Sequence, residues 1–359
     1  MEDFQLSNDS FEIKSTFGNY LVEFDNHQIF IDHSDHKKTI LVIDKNIYQS
    51  YKDSFSNFPE QNILIIDSSE QSKSFEYSTT LLNDLLNRKI KKDYTLIAIG
   101  GGTLQDITAF VASMIYRGIK WSFIPTTLLA QCDSCIGSKT SINFQSYKNV
   151  LGNFYPPQKV IIDVQFLESL PDSEIKSGIG EMTHYFYFEG SIFLEEIFAQ
   201  YDQLILREKS ILPFIKESLK IKKNVIEVDE FDRGIRNHFQ FGHTFGHAIE
   251  TATNYTINHG QAVTVGMGIA MYLSMKKQLM TEEDFLYNHN LIAKNFPRFD
   301  FDIFDFNLFY SALIKDKKNI ENYVVCVLIE KSGLLKKSMI EIDNKLKENL
   351  EKYCMEHQS

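Results

Sequence analysis

Four cysteines, Cys132, Cys135, Cys326 and Cys354, form no disulfide framework. Cys132-x-x-Cys135 has the spacing of a redox pair or half a zinc site. No second pair follows it, so small buried thiols are the expectation. No apolar run reaches the roughly 18 residues that a membrane-spanning helix needs. Met1-Glu-Asp-Phe-Gln5 lacks the basic region and apolar core of a secretory signal. Basic residues are outnumbered, 37 Lys and Arg against 48 Asp and Glu. The resulting formal net charge of −11 argues against a nucleic acid or an anionic membrane as the main partner. Internal repeats and low-complexity segments are also missing. A cytoplasmic, reducing location is expected.

What is there suits a soluble globular protein: 43% hydrophobic and 24% charged residues. A chain of 359 residues exceeds the usual single core and suggests two domains. Thr39–Asp44, Asn62–Asp67, Tyr94–Gly100, Trp121–Pro125 and Lys159–Asp163 are short apolar runs. Amphipathic helical patterns at Phe75–Arg88 and Leu104–Tyr116 separate some of them. Continuous apolar strands alternating with helices predict a parallel sheet covered on both faces. After Pro171 the pattern turns mostly helical, over Ser173–Phe188, Phe193–Tyr201, Ile211–Val228, Phe239–Thr251, Val263–Lys277 and Glu282–Asn295. One late strand, Tyr323–Glu330, and a closing helix, Asn344–Tyr353, complete the reading. The expected fold class is α/β, with a Rossmann-like parallel-sheet domain over 1–171 and a mainly helical domain over 172–359.

The chain is organised around Asn237–Gly260. His243 and His247 stand four apart, so a helix projects both from one face. Glu250 follows on the same side, and His259 precedes a second apolar stretch. Three imidazoles close together, in a chain with 10 His, suit a divalent metal with an open position. A helix whose histidines cap, pack or face water is the plainer alternative.

Gly100-Gly101-Gly102-Thr103 follows an apolar strand and precedes a helix. Such a turn suits a pyrophosphate at a helix N-terminus, or simply a tight connection. Asp44 ends an earlier strand, where an acid can hold a ribose hydroxyl. Glu70 and Lys73 open the helix after the next strand and can do the same work, or face solvent. Asp133, Lys139, Lys148 and Asn149 lie among small and apolar neighbours between Pro125 and Asn149. Lysines placed so, without a helical repeat, suit an anionic ligand better than a salt-bridged surface.

Together these motifs resemble the 3-dehydroquinate synthases of the sugar-phosphate cyclase family. The likeness runs from about Asp44 to Asp316-Lys317-Lys318. It rests on Gly-Gly-Gly-Thr-x-x-Asp106, Arg117-Gly, Pro-Thr-Thr-Leu-Leu-Ala-Gln-x-Asp133, Gly-x-Lys139-Thr, Lys148-Asn149, Gly-Glu181, Arg236, Gly-His243-Thr-Phe-Gly-His247-Ala-Ile-Glu and His259-Gly. The resemblance implies NAD and one divalent metal, Zn or Co, bound between an α/β and a helical domain. Glu181, His243 and His259 fall on the metal positions. Asp44, Glu70, Lys73, Gly101, Gly102, Thr103, Asp106, Thr126, Thr127, Lys148 and Ser169 fall on NAD positions. Asp133, Lys139, His247, Lys222 and Arg236 carry the catalytic assignments. Arg117, Asn149, His184, Gln240 and Lys318 complete the substrate set. Arg117 matches a residue that reaches the phosphate from the other subunit, which implies a homodimer.

The implied reaction converts 3-deoxy-arabino-heptulosonate 7-phosphate to 3-dehydroquinate. Oxidation by NAD, phosphate elimination, reduction by the same cofactor and an intramolecular aldol closure follow in order. The chain departs from the family pattern in three places. His184 stands where a lysine is usual, Gln240 where an asparagine is usual, and Gly-Ser-Lys139-Thr-Ser replaces Gly-Gly-Lys-Thr-Gly. A related cyclase using sedoheptulose 7-phosphate is therefore the alternative. A metal-dependent polyol dehydrogenase, which needs no phosphate pocket, is the alternative of another class.

Overall fold

The run Thr39-Ile-Leu-Val-Ile-Asp44 has no polar face to offer water, and in the computed structural model all six residues are buried inside a sheet. The structure describes residues 9–145, 147–297 and 304–356. The chain divides into two units, Met1–Leu170 with Ile226–Glu230, and Pro171–Val225 with Phe231–Ser359.

Among the described residues, the main sheet of the first unit holds seven strands: β1 (Ser10–Ile13), β2 (Tyr20–Phe24), β3 (Thr39–Asp44), β4 (Ile63–Ile66), β5 (Thr95–Gly100), β6 (Lys120–Pro125) and, after a separate hairpin, β9 (Lys159–Ile162). Their order is β1-β2-β9-β6-β5-β3-β4. β1 pairs antiparallel with β2, and the other neighbours are parallel. The chain leaves β3 toward β4 on one side, then returns to β5 on the other. That reversal is a topological switch point, where ligands settle beyond the carboxyl ends of such strands. Asp44 ends β3 and Gly100 ends β5 at this point. Leu41, Ile43, Ile97, Ile99, Ile124 and Ile161 stack with Phe55, Phe58 and Phe166 to form part of the core. The alternation of apolar runs with helices over 39–163 thus gives the parallel sheet it predicts.

Two features of this unit depart from the sequence pattern. The N-terminal strands β1 and β2 carry mixed polar residues and were not expected. The polar stretch after Ser138 is a hairpin, β7 (Lys139–Phe144) against β8 (Tyr147–Phe154). Only Thr140 and Ile142 of β7 are buried, and β8 is mostly exposed, so no long apolar run announces either strand.

The second unit is mainly helical. Its helix His259–Lys276 is buried almost all round, as expected of a segment apolar on every face. It starts at His259, earlier than the apolar stretch alone predicts. The expected helix over Phe239–Thr251 resolves into a tight 3₁₀ turn, Ile235–Gln240, and a helix His243–Ala252. The single late strand is half of a hairpin, β10 (Tyr323–Lys331) with β11 (Leu334–Glu341). A further helix, Phe306–Ile314, was not expected.

Candidate active site

Glycine decides which side chains meet in the helical unit. A Cβ on Gly180 would lie 2.0 Å from the Gly260 carbonyl oxygen, and one on Gly260 would lie 1.8 Å from that of Ser177. Only hydrogen fits there, so helices Asp172–Glu189 and His259–Lys276 touch backbone to backbone. The residues beside those glycines are Glu181 and His259. Their side chains come to 3.6 Å, Oε2 to Nε2. His243, at the start of its own helix, places Nε2 at 3.5 Å from Glu181 Oε1. The His243, His247 and His259 rings lie 5.4 to 5.7 Å apart, centre to centre.

The remaining nitrogens are anchored. His243 Nδ1 lies 3.3 Å from the Phe241 carbonyl oxygen, and His259 Nδ1 lies 3.3 Å from Glu250 Oε1. Acceptors at both Nδ1 atoms assign the ring protons there. The two Nε2 atoms then turn lone pairs toward a carboxylate, an arrangement that repels unless a cation sits among them. Burial pushes the Glu181 carboxyl up, but the neighbouring His184 imidazole, which donates to it, leads the groups that hold it well below the usual range. Burial lowers His243 despite Glu181, and burial lowers His247 well below its ordinary value, with the neighbouring His243 and His259 rings adding to the effect. A neutral His243 beside an ionised Glu181 is in the protonation state a metal ligand needs.

Glu181 Oε2 is buried and has no hydrogen-bond partner. Zinc bonds of about 2.0–2.1 Å in tetrahedral geometry put neighbouring ligand atoms about 3.3 Å apart. The observed 3.5 and 3.6 Å, one to each oxygen of Glu181, are close to that. Glu181, His243 and His259 therefore fit a divalent cation. Two separate groupings arise by proximity, Glu181 with His184 and His243, and His247 with Glu250 and His259, and the set Glu181, His243 and His259 draws on both.

Elsewhere in this unit, Lys222 is buried on helix Leu212–Ile226, and Arg236 is buried in the 3₁₀ turn. Lys318 Nζ donates to Gln240 Oε1, so these two predicted substrate residues meet. His184 is 1% exposed and donates to Glu181. Glu250 had no role assigned from the sequence, although its helical register with His247 was legible.

In the first unit, Gly101 precedes helix Gly102–Met114, whose N-terminus has no side-chain cap. A Cβ on Gly101 would crowd Thr127 Cγ2 at 3.1 Å. An uncapped helix start behind a glycine cradle, at the switch point, fits a dinucleotide pyrophosphate. Thr103 lies in the first turn of that helix, and the Thr126 N–H donates to Gly100 O at 2.9 Å. Asp44 Oδ1 accepts from the Asn46 and Ile47 N–H groups at 2.8 and 3.2 Å, and Oδ2 accepts from Ser68. Asp44 thus already caps the following helix, a task the sequence did not reveal.

One network gathers four more predicted residues. Lys73 Nζ meets Asp106 Oδ2 at 2.6 Å, and the Ser141 N–H donates to Asp106 Oδ1 at 3.0 Å. Ser141 Oγ donates to Asn149 Oδ1, the Asn149 N–H donates to Asn143 Oδ1, and Asn143 Nδ2 donates to Glu70 Oε1. Ser141 and Asn143 are the linking residues that motif reading missed. Burial pushes the Asp106 carboxyl up against the pull of Lys73. Ser169 bonds Tyr51 OH at 2.8 Å, outside this network. Lys139 and Lys148 are exposed on the hairpin, and Asp133 is half-buried in the helical turn Ala130–Ser134. Arg117 is exposed, with φ 64, in a left-handed turn. Cys132, Cys135 and Cys326 are buried, as expected of the first two, and Cys354 is half-buried.

A family profile described as 3-dehydroquinate synthase N-terminal matches residues 63–177, and its C-terminal counterpart matches 178–319. A 3-dehydroquinate synthase from Pelagibacter ubique is 35% identical over 92% of both chains. One from Dictyoglomus turgidum is 40% identical over 67% of this chain and 68% of its own. A solved 2-deoxy-scyllo-inosose synthase, complexed with carbaglucose-6-phosphate, NAD⁺ and Co²⁺, shares the fold. Its TM-score is 0.82 at 23% identity, covering 96% of this chain and 99% of that one. These matches define an enzyme of the dehydroquinate-synthase-like cyclase class, a lyase. The chain belongs to the 3-dehydroquinate synthase family. Among the described residues, no helix is long and apolar enough to cross a membrane.

Proposed function

We propose that this chain converts 3-deoxy-arabino-heptulosonate 7-phosphate to 3-dehydroquinate and phosphate, as a homodimer using NAD and one Zn²⁺ or Co²⁺. The observation that carries the reading is the convergence of Glu181, His243 and His259 in a chain so similar to named synthases. The cation would be held by those three residues. The dinucleotide would be held by the Gly100–Gly102 turn with Asp44, Glu70, Lys73, Thr103, Asp106, Thr126, Thr127, Lys148 and Ser169. When bound, NAD supplies a reversible hydride acceptor, and the cation supplies Lewis-acid polarisation of a substrate oxygen.

The chain's own residues bind and move protons. Lys222 and Arg236 are buried cations, matched to a substrate carboxylate. Lys139, Asn149 and Lys318 serve the phosphate end, with Arg117 reaching from a second subunit. His247, held neutral, accepts at its imidazole the proton of the ring alcohol being oxidised. Asp133 orients that alcohol. Product and phosphate together equal the substrate in oxidation state, so the hydride taken must be returned.

The test is incubation of the purified protein with NAD⁺ and Co²⁺ or Zn²⁺, and either the carboxylated heptulosonate phosphate or sedoheptulose 7-phosphate. Phosphate release and product mass are read. Turnover of the carboxylated substrate is expected. Turnover of sedoheptulose 7-phosphate alone would overturn the substrate while leaving the cyclase class intact.

A further inference from the structure

His184 occupies the position where the resemblance implies a substrate contact, yet its surroundings are not those of a binding surface. The side chain is 1% exposed. Its ring lies 4.0 Å from that of Tyr185, 5.1 Å from that of His243 and 5.9 Å from that of Phe239, centre to centre. Its Nε2 is 3.0 Å from Glu181 Oε1. Its Nδ1 is buried with no hydrogen-bond partner.

An ionised carboxylate oxygen only accepts, so Nε2–H is the donor. The tautomer with a bare Nδ1 leaves no buried N–H unpaired, which the opposite tautomer would. The ring is wedged among aromatic neighbours and fixed by packing. A fixed donor one helical turn from Glu181 restricts how that carboxylate rotates. It occupies part of Oε1 and leaves Oε2, the orphaned oxygen, directed toward His259.

We propose that His184 is a positioning residue for Glu181, presetting its carboxylate for the cation rather than contacting substrate. This rests on the reading of Glu181, His243 and His259 as the metal ligands. Residues that hydrogen-bond a metal ligand from behind set its orientation and basicity. A flexible lysine in this place would not fix the oxygen so, which gives the departure from the family pattern a structural sense.

The test is calorimetric titration of the metal-free protein with Co²⁺ and with Zn²⁺, and the visible spectrum of the cobalt form. His184→Leu removes the donor within a similar volume, and His184→Gln keeps an N–H able to reach Glu181. The Leu variant is expected to bind either metal roughly 10–100-fold more weakly, while the Gln variant stays within about threefold of the unmodified protein. The cobalt bands of the Gln variant should keep their positions. Unchanged affinity in the Leu variant overturns the proposal. A Gln variant that falls as far as Leu, or whose bands move, also overturns it, because His184 would then ligate the ion itself. If His184→Leu does not fold, His184→Met removes the donor with a more adaptable chain. Failure of the unmodified protein to bind either ion would instead contradict the metal reading.

Discussion

At single positions, burial and partners set the charge state that the chemistry needs. Burial favours the neutral forms of His243 and His247, while Glu181, which accepts from His184, stays ionised. Replacing His243 with Ala should remove stoichiometric Zn²⁺ or Co²⁺ and lower activity by at least about 100-fold, with the far-ultraviolet circular dichroism unchanged. Metal analysis of the dialysed variant checks it, and retained metal with activity would sink the ligand set. A second residue prediction concerns the first unit. Buried Asp163 accepts from the His27 ring at 2.7 Å and from two backbone N–H groups at 3.0 Å. Burial pushes its carboxyl up, but His27 and those donors outweigh it, so the folded value is lowered. A lowered carboxylate stabilises the fold above its unfolded value of about 3.9, and that contribution is lost as pH falls through the folded value. Asp163→Asn should therefore destabilise the protein near neutral pH, and the gap from the unmodified protein should narrow as the pH falls below about 3.9. Urea unfolding at several pH values measures the gap, and a gap independent of pH would contradict the pairing.

At the scale of helices and strands, the approach of Gly180 to Gly260 is what makes Glu181 and His259 neighbours. Gly180→Ala would force a methyl group to 2.0 Å from a backbone oxygen, so the helices must separate. The expected cost is about 3 kcal/mol, with weakened metal binding even where the variant folds. Thermal unfolding and metal titration read both, and an unaffected variant would show that the crossing does not set the site. The same elements show what was legible in the sequence. The parallel strands were, because uninterrupted apolar runs such as Thr39–Asp44 admit few other placements. The helical register of His243 and His247 was also legible. Hairpin β7–β8 was not, because its polar, exposed residues lack a clear two-residue apolar alternation. Glu181 drew no attention by spacing, since its partner His259 is distant in sequence and only the glycine contact joins them. Asp44 was legible as a strand-ending acid, but its capping of the next helix was not. The burial of His184 was not legible, because motif position says nothing about burial.

At the scale of the whole molecule, the reading demands that one chain serve another. If Arg117 engages the phosphate across a homodimer and Lys139 does so within its own chain, two defective chains can complement. Mixed dimers of Arg117→Ala and Lys139→Ala chains should regain up to about half of the per-dimer activity, because one of two sites is then intact. Absence of recovery in verified mixed dimers would place Arg117 in its own subunit's site. The central claim, a cyclase that takes a hydride and returns it, is tested most directly by one stoichiometry. The protein, loaded with Zn²⁺ or Co²⁺, is supplied with the carboxylated heptulosonate phosphate in large excess over NAD⁺. Phosphate and NADH are followed together. Phosphate should rise far beyond the NAD⁺ present while no NADH accumulates. Phosphate-free oxidation with NADH formed in step with substrate consumed would contradict the account and identify a dehydrogenase.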